Sequence, residues 1–297
     1  MVAGIFKSVE ILPNFYTKLP EAKHIILSDG ASPDNTVAVA RELRPETLVI
    51  TNETDPGVPA NYNQCIKAAR TEYVLQINPD AEIHTPALVR LVRILDENPN
   101  AAGAAPLLIQ GHEGKTFPEV DVMGPGEHLH HKIAKLPEGP FCTWFVTGAV
   151  VLWRKVAFED FGYLDENFFF YGDDLDICVR ATRKGWSLIL DPGVTARHVG
   201  AASSGGLNIQ SRWRKAWNMT WAHLRTIYKY EGKEAARRVA REIINQNKWT
   251  KFKYRLLLNR SKAAPAAARV DAASRYLCGE PWWGKAHLPQ RDEARDV

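Results

Sequence analysis

Short apolar runs ending in Asp, Asn, Gly or Pro alternate with amphipathic helical patterns from His24 to Leu190, which predicts an α/β domain with helices flanking a sheet. A chain of 297 residues, 45% of them hydrophobic, suits one large domain of this kind plus an appendage. The appendage announces itself from Ser211 to Leu258, where Trp213, Trp217, Trp221 and Leu224 recur at three-to-four spacing among Arg and Lys. That stripe fits either core packing on the main domain or a helix lying at a membrane surface.

Taken in order, residues 1–20 place Val9, Leu12, Tyr16 and Leu19 on one helical face, and Pro13 opposes an unbroken helix. His24–Ser28 reads as a strand running into the turn Asp29-Gly30-Ala31-Ser32-Pro33-Asp34, after which Asn35-Thr36 can cap a helix through Leu43. As residues alone, Asp29 and Asp34 also suit a simple Asx turn. Thr47–Ile50 is the next strand. The Gly/Pro loop Asn52–Pro59 lets backbone amides approach a phosphate, and a helix follows from Ala60 to Ala69, carrying Asn61 and Asn63. Tyr73–Ile77 has a buried-strand pattern and delivers Asn78-Pro79-Asp80-Ala81 at its carboxyl end, where α/β sheets place ligands. An ordinary turn aspartate after proline is the alternative for Asp80. Pro86–Glu97 is an amphipathic scaffold helix ended by Asn98-Pro99.

Residues 110–140 are loop-like and rich in Gly, Pro and His. Gly111-His112-Glu113-Gly114-Lys115-Thr116 lacks the spacing and the strand-to-helix context of a phosphate-binding loop. His128, His130 and His131 lack acidic or Cys partners and read as a solvated loop. Trp144–Trp153 reads as a buried strand in which Gly148 permits close backbone approach. Ser187–Leu190 is a further strand, Asp191-Pro192 a turn, and Arg197-His198 precedes a Gly/Ser loop.

Between them lies Phe168–Trp186, FFFYGDDLDICVRATRKGW, with Asp173, Asp174 and Asp176 at the mouth of a predicted helix and Arg180, Arg183 and Lys184 toward its end. Leu175, Cys178, Val179 and Thr182 supply an inward face. Phe168–Tyr171 would form an apolar shelf against which a carboxylate loses water and gains basicity. Three capping aspartates over an aromatic core read the same residues equally well.

This stretch resembles the acidic signature of family 2 glycosyltransferases, in the form Phe-Phe-x-Tyr-x-acid-Asp-x-Asp-hydrophobic-Cys-x-Arg. Phe161–Glu166 resembles the run that leads into it, Gly185-Trp186 its closing pair, and the similarity extends over most of residues 21–206. The resemblance implies a GT-A fold, an α/β Rossmann-like mixed sheet flanked by helices. It spans residues 1–206, with a nucleotide half to about 109 and an acceptor half from about 140, and a helical basic region at 207–297. It implies an inverting transferase, similar to rhamnosyltransferases of bacterial envelope synthesis, that moves a sugar from a dTDP- or UDP-sugar to a glycan or lipid-linked acceptor. By the same resemblance Asp174 is the catalytic base, and Asp173, Asp176 and Trp144 position acceptor or donor. Asp29, supported by Ser32 and Asp34, reads the nucleotide base, with Asn61 and Gly148 contributing to the nucleotide-sugar pocket. Asn78-Pro79-Asp80-Ala81 resembles the family's Asp-x-Asp motif, so Asp80, with His198, is implied as the ligand of Mg2+ or Mn2+, and Asn78 stands in for the first acid. In the family a hydrophobic strand comes before the first helix. Val2–Phe6 is a poor substitute, so the first strand is expected to be missing and a catalytically inactive, nucleotide-sugar-binding protein is the alternative.

Composition narrows the partners. From Arg197 onward lie 21 of the 38 Lys and Arg but 8 of the 34 acids, a surplus of 13 positive charges, against a deficit of 9 before it. A basic tail on an acidic body suits an anionic surface such as lipid head groups. No nucleic-acid partner is expected, because aromatic RNA motifs and a helix-turn-helix are lacking. Cys65, Cys142, Cys178 and Cys278 show no Cys-x-x-Cys spacing, which points to reduced thiols in a cytoplasm. No apolar run is long enough to span a bilayer and no signal peptide is visible, so the expected location is cytoplasmic, at the inner face of the cell membrane. A dehydrogenase is disfavoured, since no G-x-G-x-x-G opens a helix.

Overall fold

The structure, a computed structural model, describes residues 1–19, 22–110, 115–116, 137–199 and 208–279. The chain divides into two units, residues 1–166 with 173–203, and residues 167–172 with 204–297.

The first unit is built on a mixed sheet of ten strands: β1 (Val2–Ile5), β2 (Ile26–Asp29), β3 (Leu48–Thr51), β4 (Tyr73–Ile77), β5 (Ala81–Ile83), β6 (Ala101–Gln110), β7 (Lys115–Thr116), β8 (Phe141–Thr143), β9 (Val150–Arg154) and β10 (Ser187–His198). Their spatial order is β3-β2-β1-β4-β9-β6-β10-β5, with β7 on β6 and β8 on β10. Strands β3, β2, β1 and β4 run parallel, and β9 lies antiparallel to both β4 and β6. The first strand is therefore present and central, contrary to the sequence expectation. Val2, Ala3 and Ile5 are fully buried, and the apolar run breaks at Gly4 because a Cβ there would meet the Asn61 Cβ at 3.3 Å. A helix packed that closely demands glycine, and glycine hides the strand pattern.

Helices α1 (Leu12–Lys18), α2 (Thr36–Leu43) and α4 (Thr85–Glu97) supply Leu12, Phe15, Ala40, Leu91 and Leu95 to one core layer. On the opposite face α3 (Val58–Ala68), α5 (Ala157–Phe161) and α6 (Asp173–Arg183) supply Ile66, Phe158, Phe161, Ile177 and Ala181. Pro13 falls in the first turn of α1, where its missing N–H costs nothing, so it begins that helix. The stretch expected as one strand from Trp144 starts its ladder only at Val150, because Thr147-Gly148-Ala149 turns toward the end of β4.

In the second unit the helical stripe is three helices: α7 (Ile209–Glu231), α8 (Lys233–Leu256) and α9 (Arg260–Leu277). Gly232, at φ 91°, stops α7 and opens α8. Trp213, Trp217 and Trp221 are buried and stacked, with centroids 6.5 and 5.0 Å apart, against Ala264, Ala267, Ala268 and Ala272 of α9. The Trp217 indole donates to Asp271 Oδ2 at 2.8 Å. This row is core, so its membrane reading falls: alanines on α9 leave room for three indoles to fill. Phe168 is buried within this same unit, near Gly172, Ala222 and the Arg225 guanidinium. Among the described residues no helix is long and apolar enough to cross a membrane.

Candidate active site

Parallel pairing in register aligns the carboxyl ends of β1 to β4: Ile5 pairs with Asp29 and Asp29 with Thr51, and the β4 end delivers Asn78. Side chains from distant segments therefore line one edge of the sheet, where strand order reverses and ligands bind.

At the β2 end, Asp29 is buried. Its Oδ2 accepts from the Ser32 N–H at 2.9 Å, whereas its Oδ1 is buried with no hydrogen-bond partner. A buried carboxylate oxygen left unpaired is costly, and this one keeps its capacity to accept an N–H. Ser32 Oγ accepts from the Lys7 N–H at 2.9 Å and holds the loop. Asp34 is occupied by the turn into α2, accepting from Thr36 N–H at 3.1 Å and from its hydroxyl at 2.5 Å. Asn61 sits in a buried polar lattice: its Oδ1 lies 2.7 Å from Ser28 Oγ and accepts from Asn52 Nδ2 at 3.2 Å. It holds α3 to β2 and β3. Asn63 clamps the approach to the acidic signature, donating to Leu164 O and Glu166 Oε1 and accepting from Leu164 N–H. Sequence reasoning passed over Asp55, whose carboxyl is raised by burial, with the Asp29 charge adding to the shift. A carbon at Gly30 would stand 3.1 Å from Asp55 Oδ1, so both acids border the same narrow turn.

At the β4 end the antiparallel β5–β10 ladder pairs Ala81 with His198, and the Val199 N–H donates to Asp80 O at 3.1 Å. This register brings His198 Nε2 to 3.1 Å from Asp80 Oδ1 and 3.2 Å from Asn78 Nδ2. His198 Nδ1 is buried without a partner. Tyr62, which the sequence gave no reason to single out, donates its hydroxyl toward Asn78 Oδ1 at 2.8 Å and Ile77 O at 3.1 Å. Its hydroxyl is pushed well up by burial first, then by the neighbouring charge of Asp173 and, less, of Asp80.

The acidic signature opens α6 as expected. Asp174 accepts from the Leu175 N–H at 2.9 Å, and burial raises its carboxyl in spite of the backbone groups around it. Asp173 is buried and pushed up to about 7, by burial first and then by the charge of Asp174. Asp176 is different. It is fully buried and takes a 2.8 Å bond from Arg180 Nε, while that guanidinium donates to Phe161 O, Gly162 O and Tyr163 O. It anchors the preceding loop, and its place on the inner face of α6 leaves Leu175 and Thr182 only half-buried.

Gly148 links the two centres. It stands against Asp174, the next residue's carbonyl accepts from the Asn78 N–H at 2.8 Å, and its own carbonyl accepts from Gln76 Nε2 at 3.1 Å. A Cβ at Gly148 would fall 2.8 Å from Gln76 Nε2 and 3.7 Å from Asp174 Cβ, which is why glycine stands there. Gln76, buried and fixed by the Trp153 indole at 3.0 Å, was hidden from sequence reasoning inside an apolar strand. Trp144 is not brought to this edge. It is 61% exposed and lines a hollow with Thr182 and Trp186, eight residues or about 12 Å along α6 from Asp174. The near phosphate loop at 111–116 and His128, His130 and His131 lie outside the residues whose side chains are described.

Among the described residues no three His, Cys, Asp or Glu side chains gather around one point. Asp80 Oδ1 and His198 Nε2, 3.1 Å apart, offer a hard oxygen and an imidazole nitrogen side by side. A two-ligand set of this chemistry fits Mg2+ or Mn2+, ions that fill most of their shell with water and phosphate oxygens.

The model of the family described as glycosyl transferase family 2 matches residues 9–159, half of the chain. Among curated proteins, the O-antigen biosynthesis protein RfbC of Myxococcus xanthus is 26% identical over 199 residues, 63% of this chain but 16% of that protein. The N-acetylglucosaminyl-diphospho-decaprenol L-rhamnosyltransferase of Mycobacterium tuberculosis is 22% identical over 61% of this chain and 68% of its own length. Among solved structures, the mannosyltransferase PcManGT of Pyrobaculum calidifontis aligns over 94% of this chain and 86% of its own, at 14% identity and a TM-score of 0.57. TarS 1–349 of S. aureus aligns over 94% and 91%, also at 14% identity, with a TM-score of 0.53. The sheet and its flanking helices are thus a GT-A fold, and this chain belongs to glycosyl transferase family 2.

Proposed function

We propose that this chain transfers a sugar, with inversion, from a nucleoside diphosphate sugar to an acceptor hydroxyl in polysaccharide or glycolipid synthesis. The observation that carries the reading is the Gly148–Ala149 turn, which stands against Asp174 on one side, a Cβ at Gly148 falling 3.7 Å from the Asp174 Cβ, and bonds Asn78, beside Asp80 and His198, on the other. A proton acceptor and a diphosphate site would then face one reacting carbon.

In this reading Asp29 Oδ1 accepts an N–H of the nucleobase. Asp80 and His198 would hold Mg2+ or Mn2+, which would supply positive charge for the departing diphosphate, worth several kcal/mol in such chemistry. The structural neighbour PcManGT was solved in complex with GDP-Man and Mn2+, which supports a cation beside a diphosphate in this fold. Asp174, desolvated and held by the Leu175 N–H, takes the acceptor proton as the acceptor oxygen attacks the anomeric carbon from the face opposite the diphosphate. Asp173, its carboxyl pushed up to about 7 by burial and then by the Asp174 charge, positions acceptor or donor hydroxyls beside the base. The dTDP sugar of rhamnose is the preferred donor, in keeping with the mycobacterial relative's name, and a lipid-linked acceptor at an anionic membrane surface fits the basic C-terminal region.

The test is release of nucleoside diphosphate from dTDP-, UDP- and GDP-sugars with Mn2+, with the product anomer read by NMR. Binding of a nucleotide sugar without turnover of any of them, in the presence of acceptor, would sink the catalytic reading and leave a binding protein.

A further inference from the structure

Helix α8 carries two apolar faces. Ile243, Ile244, Asn247 and Tyr254, on one side, are half-buried within the helical unit. Trp249, Phe252 and Leu256 recur at i, i+3 and i+7 on the opposite side, 69%, 59% and 74% exposed, with the two rings 6.2 Å apart. The apolar surface continues into the turn to α9, where Leu257 is 61% and Leu258 88% exposed. Leu258 sits there at φ 52°, a conformation that costs a branched side chain something and that Asn or Gly would take more easily. Nothing in helix formation asks for leucine at such a place.

The charges around this knob have one sign. Lys248, Lys251, Lys253, Arg255, Arg260 and Lys262 lie between residues 248 and 262, and no Asp or Glu does. Helical geometry puts Lys253 on one flank of the Trp249–Leu256 stripe and Lys248 and Arg255 on the other, so long cationic side chains border the apolar strip on both sides. An apolar strip between two cationic borders is complementary to a surface with an apolar interior and an anionic boundary. We propose that the α8–α9 tip is the membrane-docking element of this protein: Trp249, Phe252 and Leu256 to Leu258 enter the acyl boundary of an anionic bilayer while the cations flanking the strip, Lys248, Lys253 and Arg255, reach lipid phosphates. This deepens the membrane reading above and names the surface, which is distinct from the buried tryptophan row of α7.

The full chain is floated with phosphatidylcholine vesicles, with or without phosphatidylglycerol. Selective, salt-sensitive binding to the anionic vesicles is expected, falling about tenfold or more in W249S/L257S/L258N. These exposed substitutions leave the helices intact, which circular dichroism checks. Three outcomes would overturn the proposal. The first is absence of vesicle binding. The second is vesicle binding that needs the cations yet is indifferent to the triple substitution, which means charge attraction alone. The third is a dimer in solution that the triple variant turns into monomer, which assigns the knob to a second copy of this chain. Donor turnover with a water-soluble acceptor and no vesicles is measured alongside, so failure of docking and failure of sugar transfer are read separately.

Discussion

His198 Nε2 lies 3.1 Å from Asp80 Oδ1, brought there by the antiparallel pairing of β5 with β10. A contact made by a ladder is fixed in position, so carboxylate and imidazole face each other before any ligand arrives. Thermal unfolding with a nucleoside diphosphate and Mn2+ together should therefore show more stabilisation than with either alone, since a ligand at a hundred times its Kd adds about 2.7 kcal/mol. Asp80→Ala and His198→Ala should each abolish the metal-dependent part. An undiminished metal response in both variants would remove these residues from the diphosphate site.

Asp174→Asn should lower turnover by about 10² to 10⁴ while nucleotide affinity stays within about threefold, since a general base acts on the chemical step. Binding is measured by calorimetry and turnover by nucleotide release. Equal losses in affinity and turnover would mean that the residue holds the donor.

Asp173 carries a pH signature. Its folded carboxyl is pushed up to about 7 from an ordinary 3.8, so between those values the folded state binds more protons than the unfolded one. Stability should fall as pH rises from about 4 to about 7, and the full cost should persist above that window. Asp173→Asn removes the ionisation, so it should be the more stable protein at pH 8 and lose that advantage below about pH 4. Denaturant titrations at both values check the sign. Activity should run the other way, declining on acidification toward the same range as the Asp173–Asp174 pair gains protons.

Gly148→Ala tests the link between the two centres. The added methyl would stand 2.8 Å from Gln76 Nε2, so the Gln76 amide or the turn must move. A loss of about 1–3 kcal/mol in unfolding free energy is expected, with turnover lost beyond what stability explains. A fully active and equally stable variant would show that the turn tolerates displacement.

Asp29→Asn should leave the free protein as stable or more so, because it removes a buried, unpartnered carboxylate oxygen. Nucleotide affinity should fall by about tenfold, the worth of a hydrogen bond to a charged acceptor. Tighter nucleotide binding in the variant would exclude this oxygen as the base reader.

Much of the scaffold was legible residue by residue. Asn35-Thr36 marked the start of α2, Tyr73–Ile77 read as β4, and the Asp173–Asp176 run with its distal arginines announced α6, because caps, turns and amphipathic periods are local properties of the chain. Strand β1 was missed where Gly4 interrupted it, and Gln76 and Tyr62 were missed because a polar group inside an apolar pattern carries no sign of what it will face.

The sequence by itself determined family membership and the placement of Asp29 and Asn78 at strand ends, since strand termini and turns are written in neighbouring residues. Tertiary structure alone decided that Asp55 borders the Asp29 turn, that Asp176 is spent on Arg180, that Trp144 stands away from the carboxylates, and that the Trp213–Trp221 row is core while Trp249 faces outward. Each depends on which segment packs against which, and burial of apolar surface chooses among helix faces whose periodicity is the same.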